Sequence, residues 1–387
     1  MAEARTKKAE SNEMEFTVKK FDLLNELSLT QGVVERKTTI PILSHLLCEA
    51  RGGRLTITAT DLEISIRTSC DAKVRKDGTG TIPAKKLLEL VRLLPDEEIR
   101  FKLLDNHWVE ITCGKKRYKM VGMARDNFPA LSAPPPALVR LPAGVLSGMI
   151  ARTQFAISAE ETRYTLNGAL LVLKPDAIIM VATDGHRLAL VEKEHPFEGL
   201  NAESRALVPK KAMAEIVRLA TEVDAESPVA FSRDESNLYF QFGADGGGRL
   251  LISRMLTGQF PNYEAVLPRD HNRVVTLERN ELLDAVRRVY QLADQRSHAV
   301  KFELSSEGIR ISSSSPEYGE AVEEIEKPLK GEDLAIGFNA QYLLDFLSAA
   351  AEGPVTLELK DEQSAGQMRP LADEAFQYRY VIMPMRI

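Results

Sequence analysis

Hydrophobic and polar positions along this chain form one pattern written three times. Residues 82–94 carry a helical mix of Lys, Leu and Val straight after an Ile-Pro pair. Residues 208–220 repeat it: Pro83, Lys85, Leu90, Val91 and Arg92 recur as Pro209, Lys211, Ile216, Val217 and Arg218. A fainter third copy occupies residues 337–347. Each copy opens with an earlier amphipathic stretch, over residues 21–34, 143–157 and 279–293, with Leu24, Leu146 and Leu283 at matching places. Short alternating runs, such as residues 54–60 and 177–183, predict strands between the helices. The repeat is far longer than the units of about 20–50 residues that build solenoids, and long enough to enclose its own core.

Smaller landmarks keep the same order. Ala59, Thr60, Asp61, Leu62 and Glu63 match Ala182, Thr183, Asp184, Gly185 and His186, and residues 313–317 take that place in the third copy. The first two copies close on Phe128-Pro129 and Phe260-Pro261. The pattern therefore predicts an α+β fold: three repeated domains over residues 14–137, 138–270 and 271–387, each with two helices packed on antiparallel sheets. Residues 132–137, with three consecutive prolines, read as a stiff connector, and residues 267–272 as the second. Asp245 to Gly248 reads as a flexible hairpin tip; no Lys-Ser/Thr follows it as in a phosphate loop. Residues 1–13 are polar, without the apolar core of a signal peptide, and are expected to be a disordered tail.

Composition adds little until charge is placed. The chain has 387 residues, 44% hydrophobic and 27% charged, and no apolar run of the roughly 18 residues that span a bilayer. Cys48, Cys70 and Cys113 have no metal-ligand spacing and read as reduced thiols in a cytoplasmic protein. No metal or cofactor is expected. The net charge of −6 argues against a conventional nucleic-acid binder. Cations nevertheless gather on the predicted helices: Lys85, Lys86, Arg92, Arg152, Lys210, Lys211, Arg218, Arg287 and Arg288. Single long cations of this kind are usually solvated surface. Their recurrence in repeated domains points instead to one shared basic face. Acidic residues crowd a late alternating run, with Glu317, Glu320, Glu323, Glu324 and Glu326.

An enzyme is the competing class. Asp184 and His186 could be an acid–base dyad, but no nucleophile motif accompanies them, and no P-loop, His-Glu-x-x-His or Cys-x-x-Cys is present. The first repeat puts Leu62 and Glu63 where Gly185 and His186 stand, so the element reads as structural. No catalysis is expected.

The carboxyl end, Tyr380 to Ile387, resembles the terminal motif of the bacterial replicative sliding clamp family, the beta subunit of DNA polymerase III. The likeness extends from Met14 through residues 39–43, 163–168, 182–188, 260–263 and 336–339. The resemblance implies three DNA-clamp domains per chain and a ring-shaped, head-to-tail homodimer around double-stranded DNA. The clamp would hold DNA without regard to sequence and tether the polymerase III alpha subunit, the clamp loader and other polymerases or repair proteins through short peptide motifs. Arg36, Lys37 and Tyr164 join the helix cations as implied pore residues. A partner-peptide pocket is implied at Leu166, Thr183, Gly185, His186, Arg187, Leu188, Pro261, Val266, Asn339, Tyr342, Val381, Ile382, Met383, Pro384, Met385, Arg386 and Ile387. Two methionines flanking Pro384 suit such a pocket, because thioethers repack around different apolar ligands.

The implied dimer interface sets Lys115, Lys116, Arg117 and Tyr118 of the first domain against Leu292, Glu317, Glu320, Glu323 and Glu324 of the third. Ala265, Ser297 and the acidic loop at Glu160 depart from the family's usual residues. The alternative is a three-domain peptide-binding scaffold that keeps the pocket and never encircles DNA.

Overall fold

The computed structural model describes residues 13–34, 39–243, 248–329, 331–371, 373 and 375–386. Six α-helices lie among them: α1 (Lys20–Thr30), α2 (Ala84–Leu93), α3 (Ala143–Thr153), α4 (Lys210–Ala220), α5 (Arg279–Tyr290) and α6 (Ala340–Ala349). They come in the pairs the repeat predicts, each following directly on a strand. The opening helices are shorter than their amphipathic runs. Residues 31–34 turn away after α1, and Thr153, with φ −125°, leaves helical geometry and passes into a 3₁₀ turn, Gln154–Ala156. The second helices start differently. Pro83 precedes α2 without a side-chain cap, whereas the Asn339 side chain caps α6 by accepting from Gln341 N (2.9 Å) and Tyr342 N (3.4 Å).

The described chain falls into two compact units that do not coincide with the three repeats: residues up to 144 with 214–254, and residues 145–213 with 255–387. Strand pairing explains the division. In the first unit a five-stranded sheet runs, edge to edge, Lys73–Lys76, Glu15–Lys19, Glu98–Leu103, Trp108–Cys113 and Lys116–Val121. Its eight-stranded sheet runs Val139–Pro142, Pro228–Arg233, Asn237–Phe242, Arg249–Arg254, Ile64–Asp71, Arg54–Thr60, His45–Arg51 and Gly78–Pro83. The junction of repeats one and two is thus an antiparallel strand pair, with Ile66 opposite Leu251 and Ile64 opposite Ser253. Backbone hydrogen bonds crossing the junction make one sheet of two repeats.

The second unit repeats the scheme. Its eight-stranded sheet runs Ser204–Pro209, Gly168–Leu173, Ala177–Thr183, Arg187–Glu194, Gln377–Ile382, Gly366–Pro370, Pro354–Leu359 and Arg273–Glu278. Repeats two and three meet where Ala189 faces Tyr380 and Arg187 faces Ile382. A four-stranded sheet of Gly319–Ile325, Ile309–Ser315, Ala299–Leu304 and Leu334–Asn339 completes it. Aromatic pairs fill the space under the helices: Phe16 stacks on Phe101 at 4.8 Å, and Phe346 on Tyr380 at 4.9 Å.

Residues 132–137 are irregular, and Leu131 just before them packs on Tyr239, Leu250 and Ile252. Asn272 N, at the end of the second connector, donates to Leu359 O at 3.3 Å. Of the expected hairpin tip, Asp245, Gly246 and Gly247 lie outside the described residues, as does the tail up to residue 12. Glu13, counted with that tail, is placed and bonds to Lys76 at 2.7 Å. The three cysteines are free and buried, and burial pushes the Cys48 and Cys70 thiols up to about 12. Among the described residues no helix is long and apolar enough to cross a membrane.

Candidate functional site

The turn from Thr183 to Arg187 is built by its own side chains. Thr183 Oγ1 accepts from Gly185 N at 3.1 Å, and Asp184 Oδ1 accepts from His186 N at 2.9 Å and Arg187 N at 3.0 Å. Gly185 sits at φ +92°, where glycine is at ease. The first repeat makes the same turn: Asp61 Oδ1 accepts from Glu63 N and Ile64 N, with Leu62 at φ +77° in place of the glycine. In the third repeat Ser315 Oγ accepts from Glu317 N. Asp184 therefore bonds the backbone of His186, and the same turn stands in a repeat that has no histidine there. The pair is a turn device and not an acid–base dyad.

Arg187 follows the turn and is 9% exposed. Its Nε donates to Asp184 Oδ2 at 3.0 Å, Nη1 to Asp345 Oδ2 at 2.5 Å and Nη2 to Phe155 O at 2.6 Å. The guanidinium lies over the Tyr342 ring at 4.3 Å and the Phe155 ring at 5.5 Å. Burial opposes the charge, but the Tyr380, Asp345 and Asp184 partners outweigh it and raise the guanidinium further. Burial also raises the Tyr380 hydroxyl, which stays neutral at physiological pH, so the two carboxylates hold Arg187 charged. Arg187→Ala would leave those carboxylates without their cation. Asp345 keeps some solvent contact (24% side-chain exposure), so the expected cost is about 3 kcal/mol, at the low end for a broken buried pair. Thermal unfolding of the variant checks it, and Arg187→Lys should recover little because lysine lacks the planar fork.

Beside this network lies an apolar cluster: Leu166, Leu170, Val172, Leu188, Leu190, Leu207, Phe260, Tyr263 and Val381, with Met255, Leu256, Leu267 and Ala365 packed on it. Val381 and Ile382 are buried in the last strand, 1% and 0% exposed. The chain then leaves the sheet. Met383 N donates to His186 O at 2.9 Å and Met385 N to Gly337 O at 2.8 Å, while the Met383 side chain is 42% exposed. Val266 is 45% exposed on the segment that follows Tyr263. Two open cavities flank the region. One, of ≈ 520 Å³, is walled by Leu170, Leu207, Met255, Leu256 and Phe260. The other, of ≈ 670 Å³, lies beneath Met385 and Arg386, against Ile336, Gly337 and Lys301.

The structure thus brings Leu166, Leu188 and Val381 into one cluster and ties His186 to Met383. Asn339 and Tyr342 stand at the start of α6, where Tyr380 Oη donates to Tyr342 O at 2.9 Å. Pro261 is exposed, and Ile387 lies outside the described residues. Sequence reasoning missed Phe155, Phe260, Tyr263 and Asp345. Phe260 stood in the repeated Phe-Pro pair; for Asp345 only its match to Glu215 pointed the way.

The expected basic face divides. Lys85, Lys86, Lys210, Arg287 and Tyr164 are exposed, Tyr164 by 71%. Arg36 and Lys37 lie outside the described residues. Arg152, in contrast, pairs with Asp373 at 2.7 Å and covers the Phe376 ring at 4.5 Å, leaving its side chain 18% exposed. Arg218 bonds Glu215 and two carbonyls of α1. Arg288 Nε donates to Glu323 Oε1 at 2.6 Å, a bond that also lowers the Glu323 carboxyl. These three arginines hold protein partners.

Three family models match the chain in succession: the DNA polymerase III beta subunit N-terminal domain over residues 14–132, its central domain over 140–262 and its C-terminal domain over 264–386. The chain belongs to the bacterial beta sliding clamp family. The Pseudomonas putida beta sliding clamp is 33% identical over 377 residues, covering 97% of this chain and 100% of that one. The Caulobacter vibrioides clamp is 35% identical over 381 residues, again 97% and 100%. Among solved structures, the beta subunit from Pseudomonas aeruginosa superposes with a TM-score of 0.90 at 31% identity, over 97% of this chain and all of that one. A Pseudomonas aeruginosa clamp has also been solved bound to griselimycin, with a TM-score of 0.89 at 31% identity and the same coverage. The chain is accordingly a DNA sliding clamp of the polymerase III holoenzyme, a processivity factor without catalysis of its own. A peptide scaffold that never encircles DNA is not favoured.

Proposed function

We propose that two copies of this chain close head to tail into a cytoplasmic ring around duplex DNA, with three clamp domains per copy bounded near residues 137 and 270. One observation carries the reading. Strand Ile64–Asp71 of repeat one pairs with Arg249–Arg254 of repeat two, and the matching Arg187–Glu194 pairs with Gln377–Ile382. The third strand of each set, Gly319–Ile325 and Lys116–Val121, ends its sheet, with no strand on its outer side among the described residues. The first edge bears Glu320, Glu323 and Glu324, the second Lys116, Arg117 and Lys119. Long free edges invite pairing, and opposite charge selects the partner and orientation. Tyr118, half-buried, and Leu292 supply apolar contact at the closure. Loading on nicked circular DNA followed by linearisation tests the ring: a topologically held clamp slides off the ends, and retention would overturn the reading.

Inside the ring, Lys85, Lys86, Lys210, Lys211, Arg287 and Tyr164 touch phosphates and sugars. Such contacts hold without fixing sequence, which sliding requires. The double variant Lys85→Glu with Lys210→Glu should fold normally and load poorly, with the log-affinity slope against log salt reduced by roughly one unit per lost contact. Binding at several salt concentrations measures it. The cluster around Leu166, Leu188 and Val381, with the exposed Met383 beside it, receives apolar anchors of short segments from the polymerase alpha subunit, the loader and repair proteins.

A further inference from the structure

We infer that the last turn of α2, with Leu90, Arg92 and Leu93, is a closure surface, and that Arg92 caps the last turn of α5 in a second copy of the chain. This rests on the ring reading above and deepens it. Two repeat junctions are closed within the chain, and at each one the same helical carbonyl is capped from across the junction. At the first, Arg218 Nη1 donates to Ser28 O at 3.0 Å and Nη2 to Leu29 O, in the last turn of α1. At the second, Tyr378 Oη donates to Arg152 O at 2.7 Å, in the last turn of α3. Counted from the helix starts, Leu29, Arg152 and Arg288 hold equivalent positions. Carbonyls in a last turn lack intrahelical donors, and a guanidinium there also meets the negative end of the helix dipole.

The last turn of α5 offers the same acceptors. Arg287 O receives Gln291 Nε2 at 3.2 Å and Arg288 O receives Gln291 N at 3.2 Å, and each carbonyl retains a second lone pair. The residue of repeat one that matches Arg218 is Arg92. It is exposed, and its guanidinium has no partner among the described residues. In repeat three the matching residue, Ser348, is too short to reach, and Tyr378 does the capping.

Burial gives an independent sign. Glu215, Ile216 and Leu219 of α4 are 7%, 1% and 0% exposed, and Phe346 of α6 is 0% exposed. Their counterparts on α2 are uncovered: Glu89 and Leu90 are only half-buried and Leu93 is 86% exposed, more than any other large apolar side chain described. The turn of α2 that holds Arg92 thus leaves uncovered the apolar positions that the neighbouring repeat covers on α4 and α6. The equivalent faces of the other two repeats say which surface: the last turn of the opening helix in the next repeat, which here belongs to the second copy. Arg92, which charge pattern alone assigned to DNA, belongs to ring closure.

The test is the dimer dissociation constant of the full chain without DNA, from sedimentation velocity over a dilution series. Arg92→Ala should raise it about tenfold, as loss of a hydrogen bond from a charged group would. Arg92→Lys should recover only part, and Leu93→Ser should weaken the dimer in the same direction. A wild-type dimer whose dissociation constant is unchanged by Arg92→Ala and Leu93→Ser would overturn the inference and leave the ring intact. A wild-type chain that stays monomeric at all concentrations would overturn the ring reading itself.

Discussion

Removing residues 383–387 is expected to abolish binding of partner peptides while the clamp remains folded and dimeric. The last strand ends at Ile382, and its backbone is held on both sides, by Arg187–Glu192 and by Gly366–Met368. Tyr380, Val381 and Ile382 are at most 1% exposed, so the core is complete before the truncation begins. What the deletion removes is the outward segment. Met383 N no longer bonds His186 O, and Met385 N no longer bonds Gly337 O. The exposed Met383 side chain, proposed above as the neighbour of the peptide-binding cluster, is lost with them. A fully buried apolar anchor is worth about 1.5–3 kcal/mol, so a pocket without its wall should lose on the order of ten- to a hundredfold in affinity for each anchor it held. Fluorescence anisotropy with an alpha-subunit peptide, beside light scattering on the same sample, reads both outcomes. Undiminished peptide affinity in the truncated dimer would remove the pocket from this surface. A melting point lowered by tens of degrees would show that the segment completes the core instead.

The sequence made this separation only in part. A Met-Pro-Met run at the very end of a chain must be docked on something, but whether as a core strand or a groove wall is not visible in residue types. The structure divides the segment at Ile382. What the repeats did show is hierarchical. Strand-to-helix transitions at Pro83, Pro209 and Asn339 were legible because the helical pattern begins at the same place in each repeat. The Asp184 turn was legible as structural because repeat one makes it without a histidine. The partition of the cations was not. Lys85 and Arg92 look alike in a sequence and, seven residues apart, share one side of α2; they differ in the end of the helix they occupy. Arg152 and Arg218 look equally free until Asp373 and the carbonyls of α1 are placed beside them. Long-range pairing also dictated that the compact units cut through repeat two, because sheets cross the junctions. Local periodicity carries no trace of that.

The repeated junctions also fix how the ring should close, residue by residue. Ile66 faces Leu251 and Ala189 faces Tyr380. Sheet pairing makes Ala321, opposite Ser313, the third member of the Ile66 and Ala189 set. Tyr118, opposite Ile111, completes the set of Leu251 and Tyr380. The closing pair should therefore put Ala321 opposite Tyr118, and with them Glu320 opposite Lys119 and Val322 opposite Arg117. Successive residues alternate faces, so Glu320 and Lys119 share one face while Glu323 and Lys119 do not. A chain carrying Lys119→Cys and Glu320→Cys should form a covalently closed ring on mild oxidation, because residues directly opposite bring their Cβ atoms to about 4.5–5.5 Å, near disulfide range. A chain carrying Lys119→Cys and Glu323→Cys should not. The native thiols will not compete: all three are buried, and burial raises each of them. Non-reducing electrophoresis reads the product, and the locked ring should stay on circular DNA through salt washes that strip the wild type. Equal crosslinking in both variants would mean that the edges meet without register. Crosslinking only in the second would mean a three-residue slip, which would set Tyr118 opposite Glu324 in place of Ala321.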